Sequence, residues 1–247
     1  MMGLDATRIS AVVRKELRDF RRKRSIVVTM CVLPLVFLVE PVVTVFLVTP
    51  TTSGAALQKS LILPILYLLL IPTIMPSTLA AYSVVGEREQ GTLEPLLTTP
   101  LRQQEFLLGK AMSVMIPTLA LSYTLFGIFL GAVRLAANSA VASAIFHDAP
   151  VILALLLLAP LMAAWGIVVG MAVSVRATEV RVAQQLGTLA SLPPVAVIIL
   201  LAVGVVSPTF FVALVFAFGL FVIDALLLRL VSGMFDRERL VTGAKAV

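Results

Sequence analysis

Few residues of this chain have the types and spacing that catalysis requires. A phosphate-binding loop needs the pattern GxxxxGK[ST], because its backbone N–H groups must surround the phosphates. Gly109-Lys110 is followed by alanine, and Gln104 stands where the first glycine belongs, so this loop is absent from the sequence. The one histidine, His147, stands beside Asp148 and belongs to no HExxH zinc motif. We therefore predict that the chain is not an enzyme and holds no metal or cofactor itself.

Two acidic residues, Glu40 and Asp224, fall inside long apolar stretches. An acid in the middle of a membrane costs about 2.5–3.5 kcal/mol, so it must face protein or water or take up a proton. Asp224 lies about one turn before Arg229, with which it can pair near the membrane surface. Glu40 either lines a pathway or reaches the outer surface. If both acids bound the coupling ion, the chain would be an ion- or proton-coupled secondary transporter.

Composition identifies the elements that must position these residues. The chain has 247 residues, of which 60% are hydrophobic and 13% are charged, whereas soluble domains are about 45–50% apolar and about 25% charged. This excludes an ordinary soluble enzyme and a disordered chain, and the single cysteine, Cys31, excludes an internal disulfide. We predict an all-α integral membrane protein, with its net charge of +6 held against lipid headgroups rather than nucleic acid.

Six stretches are long enough to cross the hydrocarbon layer, which takes about 20 residues. They cover residues 25–48, 61–85, 111–133, 151–175, 188–206 and 209–228. All but two of the 19 Lys and Arg residues fall in the termini or the even-numbered connections, and the two exceptions are Lys59 and Arg134. The positive-inside rule therefore predicts that both termini are cytoplasmic.

Residues 7–24 precede the first span as an amphipathic segment. Ile9, Val12, Val13, Leu17 and Phe20 recur at helical spacing, and most basic residues fall on the other side. The pattern predicts a helix in the cytoplasmic interface with its apolar face in the lipid. The alternative is a basic topology signal whose amphipathicity is incidental.

Prolines and glycines inside the spans indicate bends and close packing. Each proline removes a backbone donor and bends its helix, and the second and fifth spans carry several. We predict that these two spans line a pathway whose candidate residues are Glu40, Tyr67, Pro72, Pro76, Pro193 and Pro194. Two GxxxG patterns, at 127–131 and 166–170, permit close helix contact either within the chain or between subunits.

The connection after the second span contains a short helical pattern. Thr92 is a good N-cap, and Glu94 suits the first helical turn. Leu93, Leu96 and Leu97 then form one apolar face on a helix of about two turns. Because a helix this short is unstable alone in water, its leucines need a partner surface or must fold back onto the bundle.

This connection resembles the cytoplasmic loop of ABC exporter permeases of the type-2 class. The resemblance rests on the acidic pair Glu87 and Glu89, the run 91–94, the run 96–98, and Glu105 with the following Leu-Leu-Gly-Lys at 107–110. It implies one domain over residues 1–247, with a connecting helix before the first span and a coupling helix between spans two and three. The implied coupling residues are Glu87, Glu89, Thr92, Leu93, Glu94, Leu96 and Leu97.

The same resemblance implies partners and a location. Members pair two six-span permeases, identical or different, with two ATPase subunits that bind ATP and Mg. The cargo would be a drug-like or lipid-like amphiphile, and the membrane the plasma (inner) membrane of a prokaryote. Besides secondary transport, the remaining alternative is a non-transporting membrane scaffold whose loop docks a soluble partner.

Overall fold

The chain is all-α. The computed structural model describes residues 5–47, 54–91, 102–147, 149–206 and 209–234, which form ten helices and no strand. These are α1 (Ala6–Arg22), α2 (Arg24–Leu47), α3 (Gly54–Tyr67), α4 (Leu70–Glu89), α5 (Gln103–Ala136), α6 (Ser139–His147), α7 (Ala149–Arg176), α8 (Val180–Leu189), α9 (Leu192–Ala202) and α10 (Phe210–Met234).

Six segments are long and apolar enough to span a membrane, which confirms the predicted class of protein. The first, third, fourth and sixth are α2, α5, α7 and α10, while α3 with α4 and α8 with α9 form the second and fifth. The fifth span begins at Val180, well before the predicted residue 188. Gln184 and Gln185 lower the local hydropathy, but no proline lies between residues 180 and 190. The short helix α6 was not predicted.

The two composite spans break where prolines remove helical hydrogen bonds. Pro72 has no N–H for the Leu68 carbonyl, which instead accepts from the N–H of Ile71 at 3.3 Å. The chain turns at Leu68 and Leu69, between α3 and α4. Likewise, Pro193 and Pro194 have no N–H to donate to the carbonyls of residues 189 and 190. Helix α8 accordingly ends at Leu189. Prolines 64 and 76 lie inside continuous helices.

Helix α4 lies at the centre of the bundle, between α7 and α8. A Cβ added to Gly166 would lie 2.8 Å from the carbonyl oxygen of Thr73, and one added to Gly170 would lie 2.6 Å from that of Ser77. The glycines of α7 therefore bring its backbone against α4. Gly127 and its partner at 131 have no such neighbour within 4 Å. Among the described residues, only the second GxxxG pattern is a packing contact within the chain.

The apolar face of α1 packs on the protein, so the prediction that it lies in the lipid is wrong. Val12 and Phe20 are buried, and Phe20 belongs to a core cluster that includes Phe106 and Val231. A Cβ on Gly109 of α5 would come within 2.6 Å of the Val12 Cβ. The missing side chain at 109 is what allows α1 to lie directly on α5. This end of the bundle is called the α1 end below.

Candidate functional site

Four charged side chains meet at the α1 end and form what we call the charged cluster: Lys15, Glu16, Glu87 and Lys110. The Lys110 ammonium is only 1% exposed and lies 3.2 Å from Glu16 Oε1 and 3.1 Å from Glu87 Oε2. It also donates to the Ser83 carbonyl at 2.7 Å. Lys15 contacts the same two carboxylates from the outer side. The cluster therefore joins α1, the last turns of α4 and the start of α5.

The charges in this cluster balance, with two ammonium groups facing two carboxylates. Burial raises the pKa of Glu16, but attraction to Lys110 and Lys15 outweighs it and holds that pKa below its ordinary value. Burial likewise opposes the charge on Lys15, yet its hydrogen bond to Glu87 and attraction to both acids raise the Lys15 pKa. Mutual attraction therefore favours the charged forms of Glu16 and Lys15 even though both side chains are partly or largely buried.

A second contact joins the beginnings of α1 and α5. Glu105 is buried and accepts from the Asp5 N–H at 3.1 Å and the Arg102 N–H at 3.0 Å, and its carboxylate lies 3.6 Å from Arg8. Asp5 caps α1 by accepting from the N–H of Thr7 at 2.9 Å. One carboxylate thus satisfies unpaired N–H groups at two helix starts.

A third contact holds the end of α1 against α4. Lys23 donates to the Tyr82 hydroxyl and, at 3.2 Å, to Gln90 Oε1. Gln90 in turn donates from Nε2 to the Tyr82 oxygen at 2.6 Å. Together with the charged cluster, these long side chains connect the α1 region to residues 82–90.

The two glutamates of the predicted acidic pair have different neighbours. Glu87 lies in the charged cluster, whereas Glu89 Oε1 accepts from the Val180 N–H, the first residue of α8, at 2.9 Å. A carboxylate at that position satisfies a free N–H and favours the helix dipole. The last turn of α4 is therefore bound to α1, α5 and α8. The other predicted coupling residues, Thr92, Leu93, Glu94, Leu96 and Leu97, lie outside the described residues.

Sequence reasoning found Glu87 and noted the run at 107–110, but it missed Lys15, Glu16 and the pairing of Lys110. One signal was available. Glu16 lies between Val12 and Phe20 at helical spacing, on the apolar face of α1. A charge on a buried stripe requires an opposite charge on the facing surface.

The acids inside the spans have few partners. Glu40 Oε1 accepts from the Thr44 hydroxyl at 3.0 Å, and its Oε2 has no partner in the described part of the chain. Both carboxylate oxygens of Asp224 are buried without a hydrogen-bond partner among those residues, so the expected pairing with Arg229 is not formed. Tyr67, a candidate pathway residue, packs edge-on against Phe37 at 5.7 Å.

The candidate pathway prolines occupy different environments. Pro72, Pro76 and Pro194 are buried within the chain, whereas Pro193 is exposed. The structure therefore does not bring the pathway candidates together in one cavity of this single chain. Their predicted role depends on a surface shared with another subunit and stays a prediction.

The fold and this site define an integral membrane protein whose first helix, α1, is bound to the end of its second span. Comparison with protein families makes the class specific. The sequence model of the ABC-2 type transporter family matches residues 7–195, more than half of the chain. The chain therefore belongs to this family and is a permease component of an ABC-type transporter, not itself catalytic. No curated protein matches the sequence.

Proposed function

We propose that this chain forms half of the translocation pathway of an ATP-driven exporter. A second permease subunit, identical or different, completes the pathway, and two ATPase subunits bind ATP and Mg. The cargo is a drug-like or lipid-like amphiphile. The protein lies in the plasma (inner) membrane of a prokaryote, with both termini in the cytoplasm.

The attachment of the last turn of α4 to three other helices carries this proposal. Residues 92–97 follow that turn directly, and their leucines are the predicted contact with the ATPase. Because Glu87 is tied to α1 and α5 and Glu89 to α8, a push on 92–97 would move these helices together. If the last turn of α4 were attached flexibly, that turn would move alone and the other three helices would stay in place.

The proposed cargo route lies between the two permease subunits, beside the second and fifth spans. In both spans a turn just before a proline interrupts the helix. The turn lies at Leu68–Leu69 in the second span and at Ala190–Ser191 in the fifth. Interrupted helices suit a lining that changes shape between inward- and outward-facing states. Closed pairs of subunits are also the commonest assembly among soluble oligomers.

The coupling proposal is tested by making the apolar face of residues 93–97 polar. Leu96→Asp with Leu97→Asp should leave the protein in the membrane but release the ATPase or uncouple hydrolysis from transport, since each buried leucine contributes about 1.5–3 kcal/mol. The matched control is Val203→Asp with Val205→Asp, two exposed residues of the turn after α9. Transport and ATPase co-purification are measured on the same membranes.

Two outcomes would contradict this proposal. Wild-type transport and co-purification in the leucine variant would show that residues 96 and 97 do not couple. ATP-independent transport driven by an ion gradient would favour the secondary transporter instead.

The orientation is tested by impermeant thiol labelling of Lys59→Cys and His147→Cys against Gln90→Cys and Leu240→Cys, each with Cys31→Ser. Labelling of the last two from outside would reverse the topology.

A further inference from the structure

A groove of about 760 Å³ lies at the α1 end, outside the contacts described above. Helix α7 forms its floor, and α8 and α10 form its walls, since both pack on α7. Its walls are almost wholly apolar and include Val169, Ala172, Val173, Leu186, Leu189 and Leu227. A groove with these walls in a membrane protein suits a hydrocarbon chain better than water.

The polar groups of the groove are confined to one end. Arg176, in the last turn of α7, and Thr178, just beyond it, line the groove there. Arg176 is exposed and forms no ion pair with any acidic side chain in the part of the chain that the structure describes. A free guanidinium at the mouth of an apolar groove favours an anionic group attached to an apolar chain.

The depth of the groove corresponds to one leaflet of a bilayer. The lining of α7 extends from Arg176 to Val168, a helical rise of about 12 Å. Half of the hydrocarbon layer is about 15 Å thick. Leu186 and Leu189, which are 46% and 57% exposed, lie along α8 between these levels, where an exposed apolar side chain is stable against lipid.

We propose that this groove binds one anionic phospholipid. The phosphate lies at Arg176, where the planar guanidinium can donate two parallel hydrogen bonds to it. One acyl chain extends along Val169 and Ala172 towards Leu227, between α8 and α10. Because this lipid would fill the space between α8 and α10, it would connect the fifth and sixth spans. The proposal concerns a resident lipid and holds whatever cargo the transporter carries.

The headgroup is tested by lipid-dependent thermal stability of the full chain, purified in detergent with the subunits that accompany it. Added phosphatidylglycerol should raise the unfolding temperature more than phosphatidylcholine, and inorganic phosphate alone should have no effect. Arg176→Gln should weaken the apparent affinity for phosphatidylglycerol about tenfold, the effect of losing one charged hydrogen bond. Arg18→Gln, which removes another exposed arginine, from α1, should leave it unchanged.

The apolar part is tested by filling the groove. Val169→Trp should abolish the phosphatidylglycerol effect, whereas Val222→Trp, on a face of α10 that does not line the groove, should retain it. A photoactivatable phosphatidylglycerol with its label in the acyl chain gives a measurement that needs no variant. It should label peptides of α7, α8 and α10 that line the groove.

Each result decides the proposal. Equal stabilisation by the two lipids, or an undiminished phosphatidylglycerol effect in both Arg176→Gln and Val169→Trp, would overturn it. Stabilisation by inorganic phosphate would point to an anion site without a lipid chain. Labelling confined to other helices would also overturn it. None of these measurements uses ATP or cargo, so their failure is distinct from failure of the proposed transport function.

Discussion

Replacing Lys110 by methionine removes the cation at the centre of the charged cluster while keeping an unbranched side chain. Lys110 is almost fully buried and faces three oxygens, from Ser83, Glu87 and Glu16. In the variant Lys15 alone would face both carboxylates, which leaves one negative charge unbalanced at a buried site. We therefore expect α1 to separate from α4 and α5 far more often.

The size of this effect follows from burial. Removing one partner of a buried ion pair costs about 3–5 kcal/mol, because the remaining charge stays desolvated. Lys15 is the matched control, since its side chain is 40% exposed and partly solvated. Lys15→Met also leaves one negative charge unbalanced, but on the side that water can reach, so it should cost about 1 kcal/mol or less. Combining Lys110→Met with Glu16→Gln leaves Lys15 and Glu87 as a balanced pair and should recover part of the loss.

Trypsin cleavage within α1 measures this separation, because Arg14, Arg18 and Arg21 are exposed but lie in a helix. When cleavage follows the population of the open form, a loss of 3 kcal/mol speeds it by about a hundredfold or more. Lys15→Met should speed it less than tenfold. If Lys110→Met is cut no faster than Lys15→Met, the buried cluster does not hold α1 and the reasoning fails.

Three further outcomes follow from the same structure. Gly109→Leu should displace α1 and speed the same cleavage, because the new side chain would collide with Val12 Cβ, whereas Gly127→Leu, which meets nothing within 4 Å, should not. Protection of the α1 amides from hydrogen exchange should be greatest between about pH 4.5 and 10.5 and should fall as pH falls through the lowered pKa of Glu16 or rises through the raised pKa of Lys15. Asp224→Leu should raise the free energy of unfolding in detergent by about 1–3 kcal/mol, since both buried oxygens lack partners among the described residues; a decrease would show that another group binds this carboxylate.

The spans and their bends could be predicted because each signal is local. An apolar run of about 20 residues is a property of one segment, and so is the hydrogen bond that a proline cannot donate. The prolines therefore indicated bends in the second and fifth spans, but they did not show which of Pro64, Pro72 and Pro76 interrupts the second helix. The boundary at Val180 was missed because two glutamines lowered the hydropathy of a helix that nevertheless continues.

The contacts of α1 could not be predicted for the opposite reason. Lys15 and Glu87 are 72 positions apart and Lys110 and Glu16 are 94 apart, and no local pattern assigns such partners. An apolar face also looks the same whether lipid or protein covers it. Whether α1 packs on protein depends on the surface of α5 opposite it. At that surface Gly109 has no side chain, which leaves room for Val12.

The two GxxxG patterns show the same dependence on the facing surface. The glycines at 166 and 170 pack on α4 because that helix presents the small residues Ser77 and Ala80 at the contact. The glycines at 127 and 131 have the same spacing and face no atom within 4 Å. Spacing permits a close approach, and the partner helix determines whether it occurs.

The positions of the two breaks complete the argument for coupling. Helix α8 packs on α4 through Gly187, whose added Cβ would lie 3.1 Å from the Ser77 carbonyl, and Glu89 joins their ends. Both helices therefore lie on the α1 side of their breaks, while α3 and α9 pack on each other beyond them. Pro72 and Pro193 interrupt the helical hydrogen bonds between α3 and α4 and between α8 and α9. Helices α1, α4 and α8 can therefore move without moving α3 and α9 by the same amount. Under the proposed coupling, force applied at residues 92–97 would change the angle between these two parts rather than move the subunit as one rigid body.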